Sequence, residues 1–252
     1  MSDRLVVFLG PTLPRAEAAA LLDAVYLPPA EQGSVVSAVR TFLPAGIVLI
    51  DGSFGKVPAV RHKEILWALA RGIPVFGAAS MGALRAAELA PFGMRGYGFI
   101  HRWYAQTLLA DDDEVAVAMS PPELGAAPLS EALINMRLTL RRAERAGIVS
   151  GPQRRALEGL ARDTHFVDRG YPRLIADAGA TFGGSWRPAL GRLEDWLPSG
   201  AIDRKREDAA GLLRRLARPM ELPDMAPKPP PFRLTEAWAY DLDAAGLWDY
   251  SI

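Results

Sequence analysis

The chain has no cysteine. Disulfides, thiolate metal sites and a cysteine nucleophile are excluded with it, and so is any persulfide carried by this chain. Histidine is scarce, at three residues (His62, His101 and His165). Net charge is absent too: 29 basic residues balance 29 acidic ones, which gives none of the basic excess of a nucleic-acid binder. No apolar run approaches the ~20 residues that cross a bilayer. The N-terminal strand Leu5 to Leu9 lacks the basic lead of a signal peptide. A cytoplasmic protein with neither membrane nor nucleic-acid partners is expected. No Walker loop, dinucleotide glycine fingerprint or solenoid-length repeat occurs, so no cofactor is expected.

What is present is 252 residues, half of them hydrophobic, enough for one sizeable core. The most informative stretch is GIVLIDGSFGKVPAVRHKEILWALARGIPVFGAASMGALRAAELA, residues 46–90. It reads as two strand-to-helix units in series. Ile47 to Ile50 is a β-branched run stopped by Asp51-Gly52. Pro58 stands where a helix would begin, and Arg71-Gly72 closes the helical segment that ends at Ala70. Ile73 to Phe76 is the next strand, Gly77 to Ser80 the turn, and Met81 to Ala90 the next helix. Before this stretch lie a strand at 4–10, a helix over Arg15 to Ala24, a short strand at Val25 to Leu27 and a helix over Ser34 to Phe42.

After it, Tyr97 to Leu109 suggests a helix or strand-helix, and the alternation in Glu114 to Met119 predicts a last strand. The pattern is that of an α/β fold, a Rossmann-like, mostly parallel sheet flanked by helices, over residues 1–124. Residues 125–252 form a helical C-terminal region, with helices near Leu129–Ala146, Gln153–Arg162, Tyr171–Ala178, Asp203–Leu216 and Leu234–Trp248. A stiff Pro-rich connector is expected at 226–232.

Candidate site residues cluster at the expected strand ends. Ser80, in Ala78-Ala79-Ser80-Met81-Gly82, resembles a Gly-x-Ser-x-Gly nucleophile elbow with alanine at the first position. The backbone N–H groups of Met81 and Gly82 would face an oxyanion there. The commoner use of such a serine is to cap a helix. Asp51 and Ser80 would share one crevice if their strands are neighbours, and Gly10-Pro11-Thr12 would line it. Asp51 could orient a base or hold a cation, although an aspartate also opens turns. Lys63, near a helix N-terminus, is disfavoured as a cation and suited to general-base work; most such lysines are merely solvated. His62 shares a face with Leu66 and Leu69, as a half-buried core histidine would. Arg85 and Glu88 are spaced to pair. The acidic run Asp111 to Glu114 reads as a solvated turn, and no metal site is expected.

Several segments together resemble the TfuA-like family: FLGPTLP, DGSFGKVPAVRHKEILWALARGIPVFGAASMGALRAAEL, FGMRGYGFIHRWY and DDDEVAVAMSPPE, spanning about residues 5–124. Members are partners of YcaO enzymes, the ATP-dependent proteins that activate a backbone amide oxygen for replacement by sulfur. The thioamides form in ribosomally made peptides and in methyl-coenzyme M reductase. The resemblance implies a YcaO partner and a ThiS-type sulfur-carrier protein whose thiocarboxylate tail is hydrolysed to sulfide, with a precursor peptide as a further partner. Stimulation of YcaO accompanies this role or replaces it. Placement, not the family, suggests the individual roles: Ser80 as nucleophile or oxyanion-positioning group, Lys63 as base, His62 and Asp51 in support, and Arg85 as an anchor for the tail. A generic α/β hydrolase is disfavoured, since no acid–histidine pair follows the serine in the expected order.

Overall fold

The computed structural model describes residues 4–55, 57–107, 110–218, 232–233 and 235–247. Five parallel strands, β1 (Leu5–Phe8), β2 (Val25–Leu27), β3 (Gly46–Leu49), β4 (Val75–Ala78) and β5 (Arg95–Tyr97), form one sheet in the order β2-β1-β3-β4-β5. The helices are α1 (Arg15–Leu21), α2 (Ser34–Phe42), α3 (His62–Ala70), α4 (Met81–Leu89), α5 (Gly98–Gln106), α6 (Leu133–Arg145), α7 (Gly151–Asp163), α8 (Tyr171–Phe182), α9 (Arg187–Gly200), α10 (Arg204–Leu216) and α11 (Glu236–Ala244).

The strand order fixes the layers. Parallel crossovers are right-handed, so the single leftward step from β1 to β2 puts α1 on one face. The rightward steps put α2, α3 and α4 on the other. Side chains alternate accordingly. Val6, Phe8, Ile47 and Leu49 pack with α2, α3, α4 and Trp238 and Leu242 of α11. Val7, Leu9, Val48 and Ile50 pack with α1 and with Ala209, Ala210, Leu212 and Leu213 of α10. Both faces of the sheet are thus covered, as its near-continuous apolar strands require.

The chain forms two compact units, residues 1–110 with 205–252, and residues 111–204. The boundary expected at 124 falls inside the second unit. The last two helices of the expected C-terminal region belong to the sheet unit, because each carries apolar residues into one of its two cores. The second unit packs α6 to α9 around Leu133, Met136, Leu140, Leu157, Leu174 and Leu193.

Three expectations need correction. The strand predicted at Glu114–Met119 does not form. Glu114 is fully buried, its carboxylate held by Arg137 Nη2 at 2.8 Å, and a 3-10 turn spans Asp112–Val115. Its neighbours are likewise claimed by arginines, Asp111 by Arg162 at 2.9 Å and Asp113 by the buried Arg169 at 2.7 Å. The run is therefore not simply a solvated turn. The fifth strand is Arg95–Tyr97 instead, where Gly96 leaves room for the His101 ring. Finally, α3 starts at His62 rather than near Pro58. Gly52 and Ala59 instead form bridges to the segment after β2 (Ala30 with Gly52, Glu31 with Ala59), which keeps both of them out of a helix. The expected connector lies, apart from Phe232, outside the described residues, as does Trp248 at the end of the last expected helix.

One buried acid ties two helix starts together. Glu64 is 1 % exposed; it accepts the Arg61 N–H at 3.0 Å, closing the first turn of α3, and the Val35 N–H of α2 at 3.1 Å. Burial pushes its carboxyl up from 4.5 to about 7, against the lowering pull of backbone donors at Arg61, Gly33, Val35 and Val36. The folded chain therefore holds this proton more tightly than the unfolded chain. The resulting stability is complete below 4.5 and lost as pH rises through about 7. In urea unfolding, the wild type should lose on the order of 3 kcal/mol between about pH 4.5 and about pH 8. Glu64→Gln should lack that component.

Candidate functional site

In a doubly wound sheet, ligands bind beyond the carboxyl ends of strands where the order reverses. Here that point lies between β1 and β3, register partners from Leu5–Gly46 to Phe8–Leu49. The chain leaves them as Gly10-Pro11-Thr12 and Asp51-Gly52. Asp51 spans the gap. Its Oδ2 accepts the Gly10 N–H at 2.8 Å and the Thr12 N–H at 3.1 Å, and its Oδ1 accepts the Thr12 hydroxyl at 2.5 Å. Asp51 and Thr12 are both buried. One carboxylate oxygen thus holds two backbone N–H groups and the other holds the Thr12 hydroxyl.

β4 lies beside β3, with Leu49 opposite Gly77, and so carries Ser80 to the same edge of the sheet. A Cβ on Gly52 would collide with the Met81 side chain, so the two strand exits are packed together. Helix α4 approaches still more closely. The Gly82 N–H donates to the Ile50 carbonyl at 3.2 Å, and a Cβ on Gly82 would overlap the Leu49 carbonyl oxygen. Between strand and helix the Ser80 N–H donates to the Ala78 carbonyl at 2.8 Å around Ala79, whose φ is 67°. This is a γ-turn of the strained hand, on a residue with a Cβ.

Ser80 follows at the helix N-cap position, but its side chain makes no capping hydrogen bond. Among the described residues the Met81 N–H has no backbone acceptor. Of the two expected oxyanion donors, then, Gly82's is spent on Ile50 and Met81's remains. Ser80 itself is 2 % exposed.

The remaining expected residues lie elsewhere. The Lys63 ammonium donates to the Arg233 carbonyl at 3.1 Å and sits 5.0 Å from the Phe232 ring centroid; Phe232 in turn meets Trp238 edge-on. Lys63 therefore anchors the C-terminal arm, and no hydrogen bond links it to Ser80. The serine–lysine pair suggested by placement is not assembled, because the late start of α3 leaves Lys63 in a first turn that faces the arm. His62 is exposed rather than half-buried, its Nε2 2.8 Å from Glu88 Oε2. Arg85 pairs with the same oxygen at 2.7 Å and donates from Nε to the Val60 carbonyl at 3.2 Å. Burial raises the Glu88 carboxyl, but hydrogen bonds from His62 and Arg85 outweigh it and leave the group below its ordinary value.

Among the described residues no group of His, Asp or Glu is arranged to hold a metal ion, and no helix is long and apolar enough to cross a membrane. A cleft of about 380 Å³ opens between the β2–α2 loop, α2 and Leu247. None of the expected site residues lines it.

Ala79 had no signal in the sequence, since alanine seldom adopts positive φ. Glu64 had a weak one, an acid at the third position of a helix.

The family model described as TfuA-like protein matches residues 51–170. This stretch is TfuA-like. The matched region opens on Asp51, includes Lys63 and Ser80, and runs on through the first helices of the second unit. It leaves out β1 and its Gly10–Thr12 turn and extends beyond the span of about 5–124 suggested by motif resemblance. TfuA-like proteins are generally associated with YcaO-dependent thioamidation. No curated protein matches the chain.

The strain at Ala79 and the close approach at Gly82 make opposite predictions for two similar substitutions. Ala79→Gly should raise stability in urea unfolding by a few tenths to ~1 kcal/mol, as positive φ costs glycine nothing. Gly82→Ala should lower it by about 3 kcal/mol, since backbone must move.

Proposed function

We propose that this TfuA-like protein serves backbone thioamidation beside a YcaO enzyme by hydrolysing the thiocarboxylate tail of a ThiS-type sulfur carrier. The reaction is R–COS⁻ + H₂O → R–COO⁻ + H₂S. The Ser80 oxygen, or a water beside it, forms the new bond to the tail's carbonyl carbon while the carbon–sulfur bond breaks. The Met81 N–H donates to the oxygen that gains charge in this reading. Any acyl-serine ester formed is cleared by water, whose proton completes the H₂S. The carrying observation is a serine hydroxyl without a capping bond, on a strained turn beside an N–H that has no backbone acceptor among the described residues. The absence of cysteine closes a persulfide relay on this chain.

The burial of Ser80 and the engagement of Lys63 and His62 elsewhere favour a second reading. In it the chain binds and activates YcaO without chemistry of its own.

Incubation of the protein alone with thiocarboxylated carrier separates the two. Sulfide release above background, reduced at least ~100-fold in Ser80→Ala, is the expected result. Background release by the wild type, with Ser80→Ala fully supporting thioamidation in the presence of inorganic sulfide, would establish the activator reading instead.

A further inference from the structure

The N–H groups that follow the first strand at the switch point of a doubly wound sheet are commonly where a ligand's phosphate or other anion is received. Here the Gly10 and Thr12 N–H groups and the Thr12 hydroxyl are all taken by one carboxylate of the chain itself, at 2.8, 3.1 and 2.5 Å. That carboxylate, on Asp51, is 1 % exposed. Its main chain is fixed as well: the Asp51 N–H donates to the Phe8 carbonyl at 3.1 Å, and its own carbonyl accepts the Ala30 N–H at 2.9 Å. The chain after β2 is drawn over the same place, because Pro29 packs on Gly10 where a Cβ would stand.

We infer that Asp51 is a built-in anion, a positioning residue that occupies the switch-point donors of this sheet and fixes the Gly10–Thr12 turn at the strand edge that also carries Ser80. It is neither a base nor a cation ligand. These donors are thereby closed to the phosphate of a nucleotide or other phosphorylated ligand. The link to Ser80 is short: Asp51 leads into Gly52, Gly52 packs on the Met81 side chain, and Met81 follows Ser80.

The chemistry of the three contacts separates this role from general-base work. An asparagine can reproduce them, because its amide oxygen accepts both N–H groups and its NH₂ donates to the Thr12 hydroxyl, which then acts as acceptor. It cannot take a proton from water. An alanine reproduces none of them.

The test combines amide hydrogen exchange at Gly10 and Thr12, which needs no substrate, with sulfide release, whose interpretation rests on the function proposed above. Asp51→Asn should keep both amides protected and retain kcat within about threefold. Asp51→Ala should lose protection at both amides by at least about tenfold and lower kcat with KM less affected. Added formate, but not chloride, should restore both, and inorganic phosphate should protect the amides of Asp51→Ala but not of the wild type. Thr12→Val folds with one contact fewer and should show an intermediate loss of protection, which decides the point if Asp51→Ala does not fold. Unchanged protection in Asp51→Ala or Thr12→Val would overturn the inference. So would an Asp51→Asn protein with protected amides and no more activity than Asp51→Ala. If the wild type releases no sulfide, the hydrolytic reading fails, while the exchange measurements still decide the role of Asp51.

Discussion

Helix α4 can lie where it does because Gly82 carries no side chain. Its backbone meets the Leu49 carbonyl and its N–H reaches Ile50, so helix and strand touch without an intervening layer. The rest of the candidate site follows from that contact. The chain must turn from β4 into α4 within two residues, which forces Ala79 into positive φ. It also brings Met81 down on Gly52 and holds Ser80 at the level of the neighbouring strand's exit. Backbone-to-backbone approach is stiffer than any side-chain packing, because neither partner has a rotamer to change.

Around this contact the protein uses carboxylates as internal acceptors for backbone that regular structure leaves without partners. Asp51 does this for the turn after β1, Glu64 for the starts of α2 and α3, and Asp208 for α5, whose Ile100 N–H it accepts at 2.7 Å. A buried charge is costly unless its lone pairs are filled; at Asp51 three donors fill them. The second unit solves the problem differently, with arginines: Glu114 on Arg137 and Asp113 on Arg169. These five carboxylates thus hold segments in place.

The layered fold was legible because β-branched runs such as Ile47–Ile50 and helical spacing such as Leu133-Met136-Leu140 reflect burial directly. The strand Arg95–Tyr97 was not legible: three residues with a central glycine carry no alternation, and their assignment rests on parallel pairing with Phe76–Ala78. The alternation in Glu114–Met119 misled for the converse reason, since an inward-facing Glu114 there answers Arg137 and not a sheet. At the site, placement at strand ends put Asp51 and the Gly10–Thr12 turn at one edge of the sheet, where they are hydrogen-bonded to each other. It could not show which way Lys63 faces, because that depends on an arm 170 residues further on. The strain at Ala79 is a property of two elements approaching each other, and no residue type announces it.

The return of the chain to the sheet after the helical unit bears on the order of synthesis. Ala209, Ala210, Leu212 and Leu213 complete the packing of Val7, Val48, Phe76 and Ala78. All five strands leave the ribosome long before those residues do. The nascent sheet must therefore wait with one side of its apolar surface partly bare while the intervening helical unit is being made. Chaperone dependence and aggregation during expression would trace to that interval.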